Sequence, residues 1–462
     1  MGRDSNRRNE FLIGKWPFFY AFLIMTIVCV IGCSAGNNDN AKVLMTEETD
    51  VGGVELVYQY NCRMLVNTDN TNFHRLLSNL CSQELWNSRD CYDACSWMIV
   101  PMHYAFKSGD DYSVTAFHDL FVRFVNYCRI RGGYNEESRV WRLQWLYLCS
   151  QYLALSSTFK SYNSLFIPDL LDICVFYAGD NLYRSEATWK TETTVYEHIR
   201  QVLAGKRYKY HYYSSLVDGD MFSLAILCDA VYASRMNGLG ITEEMRTAVD
   251  LAYEIYNSQL LNTETEDGGW LFQVGVGQDY KDYIYAGNTN ITEDMQPNPR
   301  EDIVSDVSHF RRNAFFLTSF ESAQSTRKRM EIFRQRRKQL GVQLKKCIVK
   351  VDGNWVQTSF MDGTNGVYRY SYHEKGVGHS NYSHSTSLIQ GWWAALYEDW
   401  IFLVYKDILS GFPWPKDNSN PYLDIMTIRE QNPYFDADTA WDNGWYECVV
   451  KCAVQIGDMS FR

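Results

Sequence analysis

The chain has 462 residues, of which 46% are apolar, 15% aromatic and 21% charged. This is the composition of a folded protein, and 29 Gly and 9 Pro exclude a collagen-like or proline-rich chain. The chain has 44 Lys and Arg residues and 55 Asp and Glu residues, so its formal charge is −11. This acidic balance argues against a general nucleic-acid binder.

The first 32 residues have the pattern of an export signal. A basic stretch that ends at Lys15 precedes an uncharged run that closes before Cys33. A small residue before Cys, behind a hydrophobic run, resembles the lipobox of bacterial lipoproteins. The resemblance implies that Cys33 is lipidated, that 33–60 is a tether and entry segment, and that the protein is anchored to a bacterial membrane in the cell envelope. The alternative is a signal-anchor helix, and both interpretations place 61–462 outside the cytoplasm.

From about residue 70 onward, apolar residues recur every three or four positions, which indicates helices. In chain order, these stripes cover 73–85, 117–125, 141–152, 170–177, 222–230, 248–256, 310–320, 388–403 and 445–456. Two long polar stretches, 262–305 and 350–384, lie between them, and we expect only short strands there, around Trp355 and Val367. Ten to twelve helices with few β-branched runs predict an all-α fold.

Two all-helical architectures fit paired helices with short loops. An α-solenoid would repeat a motif every ~34–47 residues, and the sequence shows no such repeat. The other architecture is an (α/α) toroid, a ring of helical hairpins whose long loops gather at one mouth. The long stretches 262–305 and 350–384 favour the toroid, because loops are where binding chemistry concentrates.

A first candidate site lies at the start of the 310–320 stripe. We predict that Ser305 is the N-cap of a helix, with Asp306 and His309 in its first turn. A helix N-terminus favours neutral imidazole, which can act as a general base, and Arg311 can bind a carboxylate. The alternative is that these residues cap the helix and face solvent.

A second candidate site is rich in histidine. Three of the nine His, at 373, 379 and 384, lie within twelve residues, together with Tyr382, just before an aromatic helix. His379 and His384 could join His309 on a metal, but loop spacing is a weak signal for metal binding. We therefore expect neither a metal nor a cofactor.

The two long stretches are also rich in aromatic residues. Trp270, Tyr285 and Tyr370 are candidates for substrate binding, because sugars stack on aromatic faces and hydrogen-bond to phenols. The alternative is that such residues fill the core. His379 is a further candidate for substrate binding.

The hairpin series, the Asp267-Gly268-Gly269-Trp270 turn and the Asp306-Val307-Ser308-His309 helix start resemble the six-hairpin glycosidase-like superfamily. It includes unsaturated glucuronyl hydrolases, toroid polysaccharide lyases and uronyl epimerases, and the resemblance covers about 60–462 as architecture. The chain lacks the Asn-Asn-His motif of single-toroid alginate lyases and has no room for the β-sandwich of heparinase-type lyases. The resemblance implies an exported enzyme that cleaves a polysaccharide, most simply one that contains uronate.

The resemblance leaves three activities open. A lyase would abstract a proton with Tyr382 or a His and neutralise the substrate carboxylate with Arg311 or His309. A hydrolase would need two carboxyl groups, for which Asp302, Asp306 and Glu374 are the candidates. The third is a non-catalytic toroid that binds a glycan or a partner. For either enzyme, we expect His309 and His384 to face one cleft that Trp270 also lines.

Overall fold

The structure, a computed structural model, describes part of the chain. The described residues are 70–87, 89–136, 138–159, 166–189, 192–372, 374–416, 420–423, 435 and 437–459. All of them belong to one unit that spans 60–462. The predicted signal segment, the lipidation site Cys33 and the tether lie outside the described residues, as does His373.

The described residues are mostly helical, which confirms the all-α prediction. The α-helices are α1 (Thr71–Cys81), α2 (Asp90–Ser108), α3 (Asp111–Arg131), α4 (Arg139–Phe159), α5 (Ile167–Arg184), α6 (Val195–Leu203), α7 (Asp218–Asn237), α8 (Glu243–Asn257), α9 (Val307–Phe310), α10 (Asn313–Ala323), α11 (Arg327–Cys347), α12 (Thr386–Ile389), α13 (Asp399–Ser410), α14 (Ala437–Asp442) and α15 (Trp445–Met459). None of these described helices is long and apolar enough to span a bilayer.

Two small antiparallel hairpins interrupt the helices in the long polar stretches. Strand β1 (Asn262–Glu264) pairs with β2 (Trp270–Phe272), and β3 (Ile348–Val351) pairs with β4 (Asn354–Gln357). The strand expected around Trp355 is therefore confirmed. The strand expected around Val367 is wrong, since only the single bridge between Tyr368 and His379 forms there.

Helix α2, which has almost no polar face, is not among the helices predicted from periodicity. Most of its side chains are buried, including polar ones such as Asp93 and His103. A helix that is buried all round shows no apolar stripe in its sequence. Helix α2 ends at Gly109, which adopts the left-handed conformation (φ 67°) that terminates helices.

The longer helices form a series of neighbours that returns to its start. Helix α2 packs against α4, α4 against α7, and α7 against α10. Helix α10 contacts a 3-10 segment, Trp392–Leu396, which contacts α15, and α15 packs against α2. Helices α3, α5, α8, α11 and α13 each follow one of these elements in the chain and pack against it. The chain therefore alternates between two sets of elements.

The aromatic stripe at 388–403 is not the single helix that its spacing predicts. It is divided into α12, the 3-10 segment and the start of α13. The breaks fall at Gly391 (φ 79°) and Tyr397 (φ 56°), whose left-handed backbones stop a right-handed helix. Gly391 also lacks room for a side chain, because an added Cβ would lie 3.0 Å from Ala453 and 3.1 Å from Val100. Close packing against α2 and α15 thus sets the break.

Candidate active site around His309

Asp306 is the N-cap of α9, which corrects the prediction that Ser305 holds that position. Its Oδ1 accepts a hydrogen bond from the backbone N–H of His309 at 3.0 Å. The same oxygen lies 2.8 Å from Nδ1 of the His309 ring and 2.5 Å from the Ser308 hydroxyl, which donates to it. One carboxylate therefore starts the helix and orients the imidazole.

Asp306 is held as a carboxylate. It is 1% exposed, and its Oδ2 accepts a hydrogen bond from the Tyr283 hydroxyl at 3.0 Å. Burial alone would raise the pKa of Asp306, but its interaction with His309 and the hydrogen bond from the Ser308 hydroxyl hold it well below the ordinary value. An aspartate that stays ionised orients and stabilises a histidine; it does not donate protons.

His309 is the accessible member of this pair. Its side chain is 26% exposed, and Nδ1 is engaged by Asp306. No described residue hydrogen-bonds to its Nε2 atom. If Nδ1 carries the proton toward Asp306, Nε2 has a free lone pair and can accept a proton from a bound molecule. This geometry is an Asp–His dyad.

The ring of Tyr368 brings the two histidine segments together. Its centroid lies 6.3 Å from that of His309, 5.4 Å from that of His384 and 6.0 Å from that of His379. Tyr368 and His379 also exchange backbone hydrogen bonds of 3.0 and 2.8 Å, which join these two parts of the long loop. His309 and His384 therefore lie beside the same aromatic ring.

His384 is not open to solvent, so the expectation that both histidines line a cleft is wrong for this one. It is 5% exposed, its ring lies 4.9 Å from that of His379, and no described residue hydrogen-bonds to its Nε2. Burial lowers the pKa of His384 to about 3, and the nearby His379 adds to this effect. His384 is thus a neutral imidazole packed behind the dyad.

Tyr382 introduces the 3-10 turn that contains His384. Its backbone is left-handed (φ 64°), and its carbonyl accepts hydrogen bonds from the backbone N–H of Ser385 at 3.0 Å and the Ser385 hydroxyl at 2.6 Å. Arg369 and Ser371 have φ values of 53° and 55° on the same loop. Non-glycine residues in this conformation are strained and concentrate at functional sites.

Arg369 is a cation beside the dyad that periodicity and motif spacing did not reveal. Its Nε donates to Oδ2 of the buried Asp282 at 3.0 Å, and its guanidinium lies 5.1 Å from the centre of the Tyr368 ring. The side chain is 30% exposed. It can therefore be reached by a ligand while Asp282 and Tyr368 hold it in place.

Two predicted substrate contacts are buried. Trp270 is fully buried, its Nε1 donates to Asn262 Oδ1 at 2.8 Å, and its ring packs 5.3 Å from that of Phe310. Arg311 is 3% exposed and lies 5.6 Å from the centre of the Trp392 ring. The prediction that Trp270 lines the cleft is therefore wrong, because Trp270 is part of the hydrophobic core. The prediction that Arg311 binds a substrate carboxylate is also wrong, because Arg311 is buried in the interior.

Tyr285 and Tyr370 belong to a separate small cluster. Their rings lie 4.7 Å apart and pack with Met295 and Val367. The Tyr370 hydroxyl donates to the carbonyl of Thr292 at 2.8 Å and accepts from the N–H of Met295 at 3.3 Å. Tyr370 therefore pins the loop that precedes the site, and the structure does not bring either tyrosine to His309.

Among the described residues, no three His, Cys, Asp or Glu side chains are arranged to hold a metal. A surface groove of about 270 Å³, lined by Trp86, Arg123, Tyr127 and neighbours, shares no residue with the dyad.

Comparison of the whole chain with models of protein families, with curated proteins and with solved structures finds no match.

Proposed function

We propose that the helices close into an (α/α) toroid of six hairpins. The support is the series of neighbours that runs from α2 through α4, α7, α10, the 3-10 segment and α15 back to α2. Each of the first five elements is followed by a partner that packs on it, and α1 contacts both α15 and α3. An alternating series of this kind is what a ring with inner and outer helices requires.

We infer that this toroid is an exported enzyme that cleaves a uronate-containing polysaccharide by β-elimination. The observation that carries this is the Asp306–His309 dyad, with a buried ionised carboxylate behind a partly exposed imidazole. A positioned base of this type suits removal of a weakly acidic C–H proton. Arg369, which lies beside the same Tyr368 ring, supplies the positive charge that such a reaction needs.

The proposed reaction follows from these positions. Nε2 of His309 takes the proton from C5 of the uronate, and the electron pair forms a double bond between C4 and C5. The bond between C4 and the glycosidic oxygen breaks, and that oxygen takes a proton, for which the Tyr382 hydroxyl is our candidate donor. Arg369 neutralises the carboxylate, which makes the C5 proton more acidic; this replaces the role first given to Arg311.

A hydrolase has less support from the same residues. It would need one protonated and one ionised carboxyl group on either side of the glycosidic bond. Asp306 is held ionised, and Asp302 makes an ion pair with Arg300 at 3.0 Å on the surface. Glu374 is exposed on the loop and makes no hydrogen bond or ion pair with Asp306 or His309. Asp302, Asp306 and Glu374 therefore do not form the pair of carboxyl groups that a hydrolase needs.

The second candidate function is binding without turnover. The observation that favours it is the burial of His384 beneath His379 and Tyr368, which removes His384 as a second catalytic group. A partly exposed His309 and a basic residue can hold an acidic sugar without cleaving it.

The proposed location is the cell envelope, with a lipid on Cys33. The support is the lipobox-like segment before that residue, which the structure does not describe. Release of a Cys33→Ala variant from membranes, or arrest of its processing, supports the lipid anchor; an uncleaved, membrane-bound variant supports a signal-anchor helix.

A glycan screen distinguishes the candidate functions. Purified protein is incubated with alginate, polygalacturonate, heparin, chondroitin sulfate and hyaluronan, and both ultraviolet absorbance and reducing ends are followed. Absorbance of an unsaturated uronate identifies the lyase. Reducing ends without that absorbance identify a hydrolase, and affinity without either signal identifies the binding protein.

A further inference from the structure

A basic and aromatic segment begins within helix α6 and continues beyond it. Residues 198–217 contain four Lys and Arg and no Asp or Glu, although the whole chain carries a formal charge of −11. Arg200 is paired with Glu254 at 2.5 Å, whereas Lys206, Arg207 and Lys209 are exposed. A local excess of positive charge on an acidic protein points to an anionic ligand.

Aromatic rings lie beside these cations. The rings of Tyr210 and Tyr212 are stacked, 5.6 Å apart at 21°, and Tyr210 is 37% exposed. Trp189 packs edge-on against Tyr212 at 5.0 Å and against Tyr280 at 5.1 Å. We call Trp189, Lys206–Tyr213 and Tyr280 the platform. Because its rings are partly open to solvent, filling the core is not a sufficient explanation for them.

Buried and partly buried polar groups hold the platform in one shape. Asp279 accepts hydrogen bonds from the backbone N–H groups of His211 at 2.9 Å and Tyr212 at 3.2 Å. The Trp189 Nε1 donates to the carbonyl of Ser215 at 3.0 Å. The buried side chain of Gln273 both accepts from and donates to the backbone of Leu216, at 2.7 and 3.1 Å. A segment fixed in this way loses little entropy when it binds.

The platform is continuous with the dyad. Tyr280, which contacts Tyr212 at 5.1 Å, lies 6.3 Å from the ring of Tyr283. The Tyr283 hydroxyl in turn donates to Asp306. Two ring contacts therefore lead from the stacked tyrosines to the carboxylate that orients His309.

We infer that the platform is a distal subsite for an acidic polysaccharide, with its sugar rings stacked on Tyr210 and Tyr212 and its carboxylate or sulfate groups facing Lys206, Arg207 and Lys209. Charge complementarity and continuity with the dyad support this occupant. That the polymer is an acidic polysaccharide rests on the proposed function. It adds a binding surface that sequence motifs did not indicate.

The test compares two charge-matched variants of the full chain. The platform variant is Lys206→Gln/Arg207→Gln/Lys209→Gln, and the control is Lys328→Gln/Lys338→Gln/Lys345→Gln, which removes three exposed cations from α11. Affinity for each acidic polymer in the glycan screen, for neutral dextran and for single-stranded DNA is measured at several salt concentrations.

We expect the platform variant to lose roughly tenfold or more in affinity for the acidic glycan, with a weaker salt dependence, while the control stays within about twofold of the unaltered protein. A Tyr210→Ala variant should lose affinity without a change in salt dependence. The inference is overturned if the platform variant keeps the glycan affinity of the unaltered protein. It is also overturned if the unaltered protein binds single-stranded DNA more tightly than the acidic glycans and the platform variant loses that DNA binding.

This outcome is separable from that of the proposed cleavage. If the platform variant loses affinity but no glycan is ever cleaved, the subsite stands and the lyase fails. If a glycan is cleaved and the platform variant keeps its KM, the lyase stands and the subsite fails.

Discussion

His309 owes its orientation to one oxygen atom. Asp306 Oδ1 accepts from the backbone and lies within hydrogen-bond distance of the His309 ring, so the capping residue of α9 is also the group that fixes the imidazole. The sequence placed these two residues together in the first turn of one helix, although it assigned the N-cap to Ser305. It could not indicate Tyr283, which reaches Asp306 from a distant loop.

The first prediction concerns this aspartate. Asp306→Asn should lower kcat/KM on the cleaved glycan by about 10- to 100-fold, because an amide no longer holds the His309 ring in its charged hydrogen bond. Ser308→Ala is the matched control, since it removes another hydrogen bond to the same Oδ1 and a 3.3 Å contact with Nδ1 of His309, but leaves the shorter contact between Asp306 and the imidazole. Equal loss of activity in both variants, measured at equal folded fraction, would contradict the orienting role.

The second prediction concerns the buried His384. Its pKa of about 3 lies below the ordinary ~6.5 of the unfolded chain, so the unfolded state binds the extra proton first. The stabilisation from neutral His384 is complete above about pH 6.5 and is lost as the pH falls toward 3. Relative to His384→Gln, the unaltered protein should therefore lose up to about 1.4 kcal/mol of unfolding free energy per pH unit in that range.

This comparison must be made as a difference between the two proteins. Burial raises the pKa of Asp220 and of Asp229 to about 7, and these groups shift stability in the opposite direction over the same pH range. Denaturant titrations at pH 7, 6, 5 and 4 supply the difference. Parallel pH curves for the two proteins would show that His384 does not titrate as a buried neutral group.

At the scale of the elements, apolar periodicity predicted most of the long helices but not every boundary between them. It found α3 and α8, and also α4 and α7, which are almost as buried as α2, the helix that it missed. It also joined 388–403 into one helix, because the spacing of Trp392 and its neighbours continues across the left-handed residues that divide it. Whether such a break forms depends on neighbouring helices, which periodicity within one segment does not describe.

The third prediction concerns strand β2. Trp270→Phe should lower the free energy of unfolding by about 1–3 kcal/mol, because it removes the hydrogen bond to Asn262 and part of the core volume. Glycan affinity should stay within about twofold. The reverse pattern, weaker glycan binding at unchanged stability, would restore Trp270 as a substrate contact. Tyr210→Ala, on the exposed platform, is the matched variant for which that reverse pattern is expected.

At the scale of the whole molecule, helix α15 packs against α2, although the two are far apart in the chain. The ring of Tyr446 on α15 stacks on Trp97 of α2, with centroids 4.2 Å apart at 13°. Trp392 Nε1 donates to the carbonyl of Ser96 at 2.9 Å, which ties the 3-10 segment to the same helix. The sequence supports a toroid through its number of hairpins, but it contains no local signal for this closing contact.

The fourth prediction tests that closure. Trp97→Leu and Tyr446→Leu should each destabilise the protein, and a double-mutant cycle should give a coupling energy of about 0.5–1.5 kcal/mol. The control cycle pairs Trp97 with Tyr256. The Tyr256 ring packs against a different set of rings, those of Trp270, Phe272, Phe320 and Phe333. A coupling energy near zero for the Trp97–Tyr446 pair would contradict the proposed closure of a toroid through α15 and α2.

The measurement that tests the central claim most directly is the ultraviolet assay run with the unaltered protein and His309→Gln side by side on the acidic glycans. We predict that the unaltered protein forms an unsaturated uronate from at least one glycan, and that His309→Gln, folded to the same extent, loses that signal by about 100-fold or more. Absence of the product from every acidic glycan, or equal rates for the two proteins, would contradict the claim that the Asp306–His309 dyad performs β-elimination.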